Sequence, residues 1–174
     1  MGIPQKINSN TGVEESARVD LAAAFRLAVR LDMHEGVCNH LTLMLPGSKD
    51  RFLLNRFGLH WGEVTASNLL TLDASGKILE GEGDFEKTAF YIHSRIHLAN
   101  PNAACVLHTH MPYATALTLT EPGRLELVEQ TALRFYDDIA HSDRCRGRRA
   151  EYPAAHEPRR VLGPNAVASP PQPP

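Results

Sequence analysis

Two histidines, His108 and His110, directly follow the apolar run at 103–107. If this run is a β-strand, alternate side chains point to one face, so the two imidazoles project side by side. A pair of imidazoles on a stiff backbone is a typical ligand set for a divalent transition metal. Chance pairing is the alternative, because the chain holds nine histidines. The pair predicts a metal site if the chain supplies a third ligand and a catalytic acid or base.

A second pair, His93 and His97, lies four residues apart in a segment with a helical pattern. Residues at this spacing share one helix face. We expect His93 to be partly buried or to line a pocket, and His97 to lie at the surface. A separate metal site at this pair is the alternative interpretation.

Apolar periodicity predicts the elements that position these histidines. A helix is expected over 14–33, because its apolar residues form one stripe at helical spacing. Helices are also expected over 85–99 and 112–119, and turn residues separate short strands. This order of elements favours a sheet covered by helices, with antiparallel pairing of the early strands. The stripe consists of Leu21, Ala24, Phe25, Ala28 and Val29, and the strands are expected at 41–45, 51–54, 69–72 and 77–79.

Composition narrows the classes of function. The net charge of −2 argues against nucleic acid as a partner. No apolar run approaches the roughly 20 residues of a membrane span, and the first residues lack the apolar core of a secretory signal, so we expect a cytoplasmic protein. Three cysteines without a C-x-x-C spacing are interpreted as small core residues in a reducing compartment. They are Cys38, Cys105 and Cys145.

The chain divides into three parts by composition. Residues 1–13 are polar and are expected to be flexible, and 14–140 carry the periodic patterns of one domain. Residues 141–174 hold six arginines against three acidic residues, together with seven of the twelve prolines. Such a composition predicts a disordered tail.

Three segments, in order, carry a resemblance to a known family. They are Glu-Gly-Val-Cys-Asn-His-Leu-Thr at 35–42, the segment at 57–67, and the segment at 92–110 that ends in His-Thr-His. The sequence resembles the class II aldolase/adducin family over roughly residues 15–136. The resemblance implies a three-layer α/β/α fold with a largely antiparallel central sheet, truncated at its C-terminal part. It also implies a homotetramer with sites at subunit boundaries.

The resemblance assigns roles to individual residues. His108 and His110 match two of the family's three metal-binding histidines, with zinc as the expected ion and manganese as the alternative. Asn39 matches the asparagine of the substrate loop, Gly58 the glycine of the second phosphate-binding loop, and Thr88 keeps a hydroxyl at a serine position. The implied substrate is a small carbonyl compound or hydroxy acid.

Two departures from the family pattern affect the catalytic acid/base and the metal ligands. Ala89 stands where the aldolases have a catalytic glutamate, so Glu86 and His93 are the candidates for acid/base catalysis. The Asn-His-Gly turn that carries the third histidine does not occur, and only His141 and His156 follow His110. Family-like sequence stops at about residue 140, and we hypothesise that 141–174 result from a frameshift or truncation. A natural extension is the alternative.

Two classes of function follow. The first is a metal-dependent carbon–carbon lyase, of the aldolase or decarboxylase type, or its truncated remnant. The second is a non-enzymatic adducin-like module that binds actin or other cytoskeletal partners. The persistence of His108 and His110 favours the lyase, and the alanine at position 89 favours the module.

Overall fold

The computed structural model describes residues 9–100, 102–121, 123–136, 138–141 and 167–169. Five strands form one sheet in which every neighbouring pair is antiparallel. Their order across the sheet is Ile78–Glu80 (β4), Leu70–Asp73 (β3), Arg51–Leu54 (β2), His40–Met44 (β1) and Cys105–His108 (β5). Two further short strands, Ile139–His141 (β6) and Val167–Ser169 (β7), pair in parallel. Three short 3-10 helices lie at Trp61–Glu63, Ala66–Asn68 and Ala132–Phe135. The main elements are α1 Ser9–Arg30, β1 His40–Met44, β2 Arg51–Leu54, β3 Leu70–Asp73, β4 Ile78–Glu80, α2 Lys87–Ala99, β5 Cys105–His108, α3 Pro112–Thr118, β6 Ile139–His141 and β7 Val167–Ser169.

Alternation along the strands gives the sheet two apolar faces, and a helix covers each face. On one face, the buried stripe of α1 packs on Leu41 and Leu53, with Trp61 closing the core in edge-to-face contact with Phe25. On the other face, Phe90 of α2 packs against a second cluster. This arrangement confirms the predicted layers of helix, antiparallel sheet and helix. The second cluster contains Phe52, Leu54, Leu70 and Leu72.

The predicted elements are present with shifted ends. Helix α1 begins at Ser9, so the part of 1–13 that the structure describes is helical where flexibility was predicted. Of the predicted tail, 142–166 and 170–174 lie outside the described residues. Residues 167–169 form strand β7, where the composition predicted disorder.

The interpretation of the cysteines as core residues is wrong for the two that the structure describes. Cys38 and Cys105 are both exposed. Cys105 begins β5, which is the outer strand of the sheet, and Cys38 lies in the loop before β1. Cys145 lies outside the described residues. Among the helices that are described, none has the length and apolarity that crossing a membrane requires.

A single arginine ties α1 to the edge of the sheet. Arg18 donates to the Leu69 carbonyl at 3.1 Å and to the Thr71 hydroxyl at 2.5 Å. It also forms a 2.7 Å ion pair with Glu80 of β4, and its own side chain is only 11% exposed. Hydrogen bonds from a charged, largely buried group are stronger than those between neutral groups. This side chain therefore fixes α1 against β3 and β4.

We expect Arg18→Met to lower the free energy of unfolding by about 2–3 kcal/mol, because it leaves the Leu69 carbonyl without its donor while keeping an aliphatic stem. Arg30→Met, at an exposed position in the last turn of the same helix, should change it by less than about 0.5 kcal/mol. Urea denaturation of both variants measures the difference. Equal effects of the two substitutions would contradict an anchoring role for Arg18.

Candidate functional site

The register between β1 and β5 assembles the site. His40 pairs with His108, and Thr42 pairs with Val106. Residues directly opposite each other on antiparallel strands share a face. The face of His40 and Thr42 is covered by α2, because Thr42 hydrogen-bonds to His93 and the rings of His40 and His93 are 5.6 Å apart. Residues distant in sequence therefore meet at one end of the sheet.

Contrary to the sequence expectation, His97 is buried rather than at the surface, with 1% of its area exposed. It stacks on Phe52 at a ring distance of 5.2 Å and bonds to Thr42 and to the Ala103 carbonyl. Helical spacing places it on the same face as His93, which is 3% exposed and thus more deeply buried than the partly buried ring that was predicted. The polar atoms of His97 are tolerated in the interior because both ring nitrogens are hydrogen-bonded.

His108 and His110 lie side by side, although strand β5 ends at His108. Their Nε2 atoms are 3.1 Å apart. The Nδ1 of His110 donates to the carboxylate of Glu35, and the Nδ1 of His108 lies 3.3 Å from Nε2 of His40. Both imidazoles are thus held through Nδ1, and both turn Nε2 towards the same point.

This donor set fits a divalent metal. A histidine ligand that donates its other nitrogen to a carboxylate is typical of metal sites, and this is the arrangement of His110 with Glu35. The 3.1 Å separation of the two Nε2 atoms accommodates either an N–H···N hydrogen bond, with one ring protonated on Nε2, or a metal ion bound by both lone pairs. Imidazole nitrogens favour zinc and related ions over magnesium or calcium.

The described residues supply two metal ligands rather than a full set. Among them, no group of three or more His, Cys, Asp or Glu side chains is arranged to hold an ion. The side chain of His141 and all of His156 lie outside the described part of the chain. The third ligand therefore stays a prediction without an assigned residue.

Glu86 combines two roles at the start of α2. Its Oε2 accepts the backbone N–H of Ala89 at 2.6 Å, which caps the helix. Burial lowers the pKa of His40 and of His108, and the negative charge of Glu86 opposes this shift, so the carboxylate lies within electrostatic reach of both histidines. Ala89 itself is buried, with 1% exposed, and carries no proton to transfer.

The three predicted substrate residues lie on different loops and a helix end. Asn39 is 1% exposed, and its Oδ1 accepts the backbone N–H of Glu35 at 2.5 Å. Its Nδ2 is buried and has no hydrogen-bond partner among the described residues. Gly58, with φ of +77°, lies in an exposed loop after β2, and Thr88 is exposed in the first turn of α2. Of the three, Asn39 offers a free buried donor.

His40 and Thr42 were not identified as site residues from the sequence. Their signal was available in the two-residue spacing along β1 and in the predicted antiparallel pairing. The missing information was the partner strand, because β5 is more than sixty residues away.

Burial keeps the inner histidines neutral. Loss of hydration, and then the neighbouring His108, lower the pKa of His40 to about 4. Burial, followed by the charges of His40 and His97, places the pKa of His93 well below its ordinary value. At neutral pH these rings act as hydrogen-bonding groups rather than as cations.

In chelator-treated protein, His40 should make the free energy of unfolding smaller by about 2 kcal/mol at pH 5 than at pH 7.5. The unfolded chain takes up a proton near the ordinary pKa of 6.5, whereas the folded chain resists protonation until about pH 4. Stability is therefore lost as the pH falls through this window.

Urea denaturation at several pH values measures this loss, and His40→Gln should reduce the difference between pH 7.5 and pH 5. An identical pH dependence in the wild type and the variant would contradict the assignment to His40. The other buried histidines are present in both proteins, so the difference between the two reports on His40 and on its coupling to His93.

Comparison with known proteins shows the family of the chain and the relatives of its fold. A sequence model of the class II aldolase and adducin N-terminal domain matches residues 19–162, which extends past residue 140 into the predicted tail. An adducin-related protein of Schizosaccharomyces pombe is 37% identical over 126 residues, and the match covers 68% of this chain and 39% of that protein.

Two solved structures resemble the fold. An aldolase II superfamily protein from Pseudomonas syringae has 34% identity and a TM-score of 0.70, covering 75% of this chain and 52% of that one. An L-fuculose 1-phosphate aldolase from Glaciozyma antarctica has 28% identity and a TM-score of 0.71, covering 80% and 57%. The chain spans less than two thirds of the length of each of these proteins.

Proposed function

The chain belongs to the class II aldolase and adducin N-terminal domain family, and we propose that it is a divalent-metal-binding carbon–carbon lyase of the aldolase or decarboxylase type. The observation that carries the proposal is the 3.1 Å separation of the Nε2 atoms of His108 and His110. The expected ion is zinc, with manganese as the alternative.

The surroundings of the two ligands support this role. Glu35 accepts a hydrogen bond from His110, and His40 lies within 3.3 Å of Nδ1 of His108. Partners of this kind fix the orientation of a ligating ring and leave its other nitrogen available. Glu35 precedes β1, His40 begins it, and both therefore depend on the same segment as the substrate residue Asn39.

The proposed chemistry assigns one task to each neighbouring group. A bound divalent ion would supply polarisation of a substrate carbonyl or hydroxyl group. Asn39, with its unpaired buried Nδ2, would donate to an oxygen of the substrate. Thr88 and the loop at Gly58 would bind the outer part of the substrate, which we propose to be a small carbonyl compound or hydroxy acid.

Two residues are candidates for proton transfer in place of the missing glutamate at Ala89. Glu86 lies one residue before α2, and its charge acts on His40 and His108. His93 is the seventh residue of α2, and its ring is next to that of His40. General acid–base catalysis needs a group within hydrogen-bond reach of the substrate, so both remain candidates.

We expect about one zinc ion per chain after chelator-stripped protein is dialysed against zinc and analysed by elemental mass spectrometry. His108→Ala and His110→Ala should each abolish binding, because each removes one of the two imidazole ligands that the described residues supply. Glu35→Gln should weaken binding by about 10-fold, since it removes the charged partner of His110.

Thr109→Ala is the matched control, because it changes the residue between the two ligands without removing an imidazole. It should bind zinc as the wild type does. Wild-type protein that binds no more zinc than the double variant His108→Ala/His110→Ala would overturn the metal site and the lyase with it.

A non-enzymatic, adducin-like module is the second candidate, and the 37% identity to an adducin-related protein favours it. The burial of alanine at position 89, where a catalytic glutamate is expected, points the same way. Co-sedimentation with actin filaments separates the two functions. The lyase predicts no binding above background, whereas binding that is unaffected by His108→Ala/His110→Ala would favour the module.

The proposal extends to assembly and location. The resemblance implies a homotetramer with sites at subunit boundaries. In such an assembly a neighbouring copy would supply the third metal ligand beside His108 and His110. A cytoplasmic location is proposed from the composition, in which the cysteines have no disulfide spacing.

A further inference from the structure

We infer that a chain of hydrogen bonds from the Ala103 carbonyl through His97 and Thr42 fixes the tautomer of His93, with the proton on Nδ1 and an acceptor lone pair on Nε2. Thr42 and His97 are then positioning residues for His93. The argument depends only on which atoms can donate and which can accept.

The direction of the chain is set at its backbone end. Nδ1 of His97 lies 2.6 Å from the Ala103 carbonyl oxygen. A carbonyl oxygen only accepts, so Nδ1 of His97 must carry a proton. His97 is neutral, because burial lowers its pKa, and a neutral imidazole has one N–H. Its Nε2 is therefore an acceptor.

The hydroxyl of Thr42 transmits this constraint. Its oxygen lies 2.9 Å from Nε2 of His97 and 2.9 Å from Nδ1 of His93. A hydroxyl group has a single proton, and the acceptor on His97 requires it. The oxygen must then accept from His93, whose Nδ1 carries the proton.

The remaining nitrogen of His93, Nε2, is left with its lone pair. The ring lies beside His40, at 5.6 Å between centres, and the charges of His40 and His108 act on it. The reverse assignment would require Thr42 to donate two protons. In the resting, neutral protein Nε2 of His93 is thus an acceptor and not a donor.

This assignment deepens the proposed function and rests on it for its chemical meaning. In the first proton transfer, His93 would accept a proton from the substrate. An O–H bond of the substrate breaks, its electron pair stays on the substrate oxygen, and the proton bonds to Nε2. The imidazolium returns the same proton later in the cycle. A hydroxyl-bearing substrate, such as a hydroxy carbonyl compound, fits this direction.

The test is a long-range ¹H–¹⁵N correlation spectrum of the imidazoles in the chelator-treated full chain at pH 7.5. The signals of His93 are assigned by their loss in His93→Gln. We expect Nδ1 of His93 to show the shift of a protonated nitrogen and Nε2 that of an unprotonated one. Protonation at Nε2 in the wild type would overturn the inference, whatever the variants show.

Two substitutions test the chain itself. Thr42→Ser keeps the hydroxyl and should keep the wild-type tautomer. Thr42→Val removes the acceptor for His93, so we expect the Nδ1-protonated fraction to fall by half or more. His97→Phe, which preserves the ring that packs on Phe52, should also lower this fraction because the Thr42 proton becomes free.

A wild-type tautomer in both Thr42→Val and His97→Phe would overturn the relay. If one variant does not fold, the other decides, and the wild-type spectrum stands independently. The metal titration separates the two proposals. Zinc binding with the wrong tautomer overturns only this inference, and the expected tautomer without zinc binding overturns only the proposed function.

Discussion

Strand β1 pairs with β5 in a register that sets His40 opposite His108 and Thr42 opposite Val106. Side chains alternate along a strand, so a slip of one residue would turn His40 and Thr42 to the opposite face, away from α2. The slip would also place Leu41 among the histidines and remove it from the core around α1. The apolar alternation that builds the core therefore also selects the register of the site.

The buried histidines are stable in the interior because each ring is neutral and its N–H group donates a hydrogen bond to an acceptor. Loss of hydration lowers the pKa of each inner ring, and a neutral imidazole needs one acceptor and one donor. The Ala103 carbonyl and the Thr42 hydroxyl meet these needs for His97. Glu86 caps α2 and adds one negative charge that acts on His40 and His108. Polar groups and an apolar core thus share the same face of the sheet.

Local pattern in the sequence was sufficient for the elements and for the proximity of His108 and His110, because both depend on neighbours in the chain. The burial of His97 was not predicted, since helical spacing alone does not say whether a histidine finds partners. The partners are Thr42 and the Ala103 carbonyl, and only the tertiary fold brings them together. The exposure of Cys105 was missed for a related reason: an apolar strand at the edge of a sheet has the same composition as one at its centre.

Strand β5 lies at the end of the five-stranded sheet and is paired with β1 on one side. Edge strands open locally at a lower free energy than central ones, and amide hydrogen exchange detects such opening. Opening β5 would separate His108 from His40, so a ligand of His108 binds only the closed strand. Such a ligand raises the opening free energy by RT ln(1 + [L]/Kd). Binding of a ligand at His108 therefore slows amide hydrogen exchange in β5, and conditions that open β5 weaken the binding.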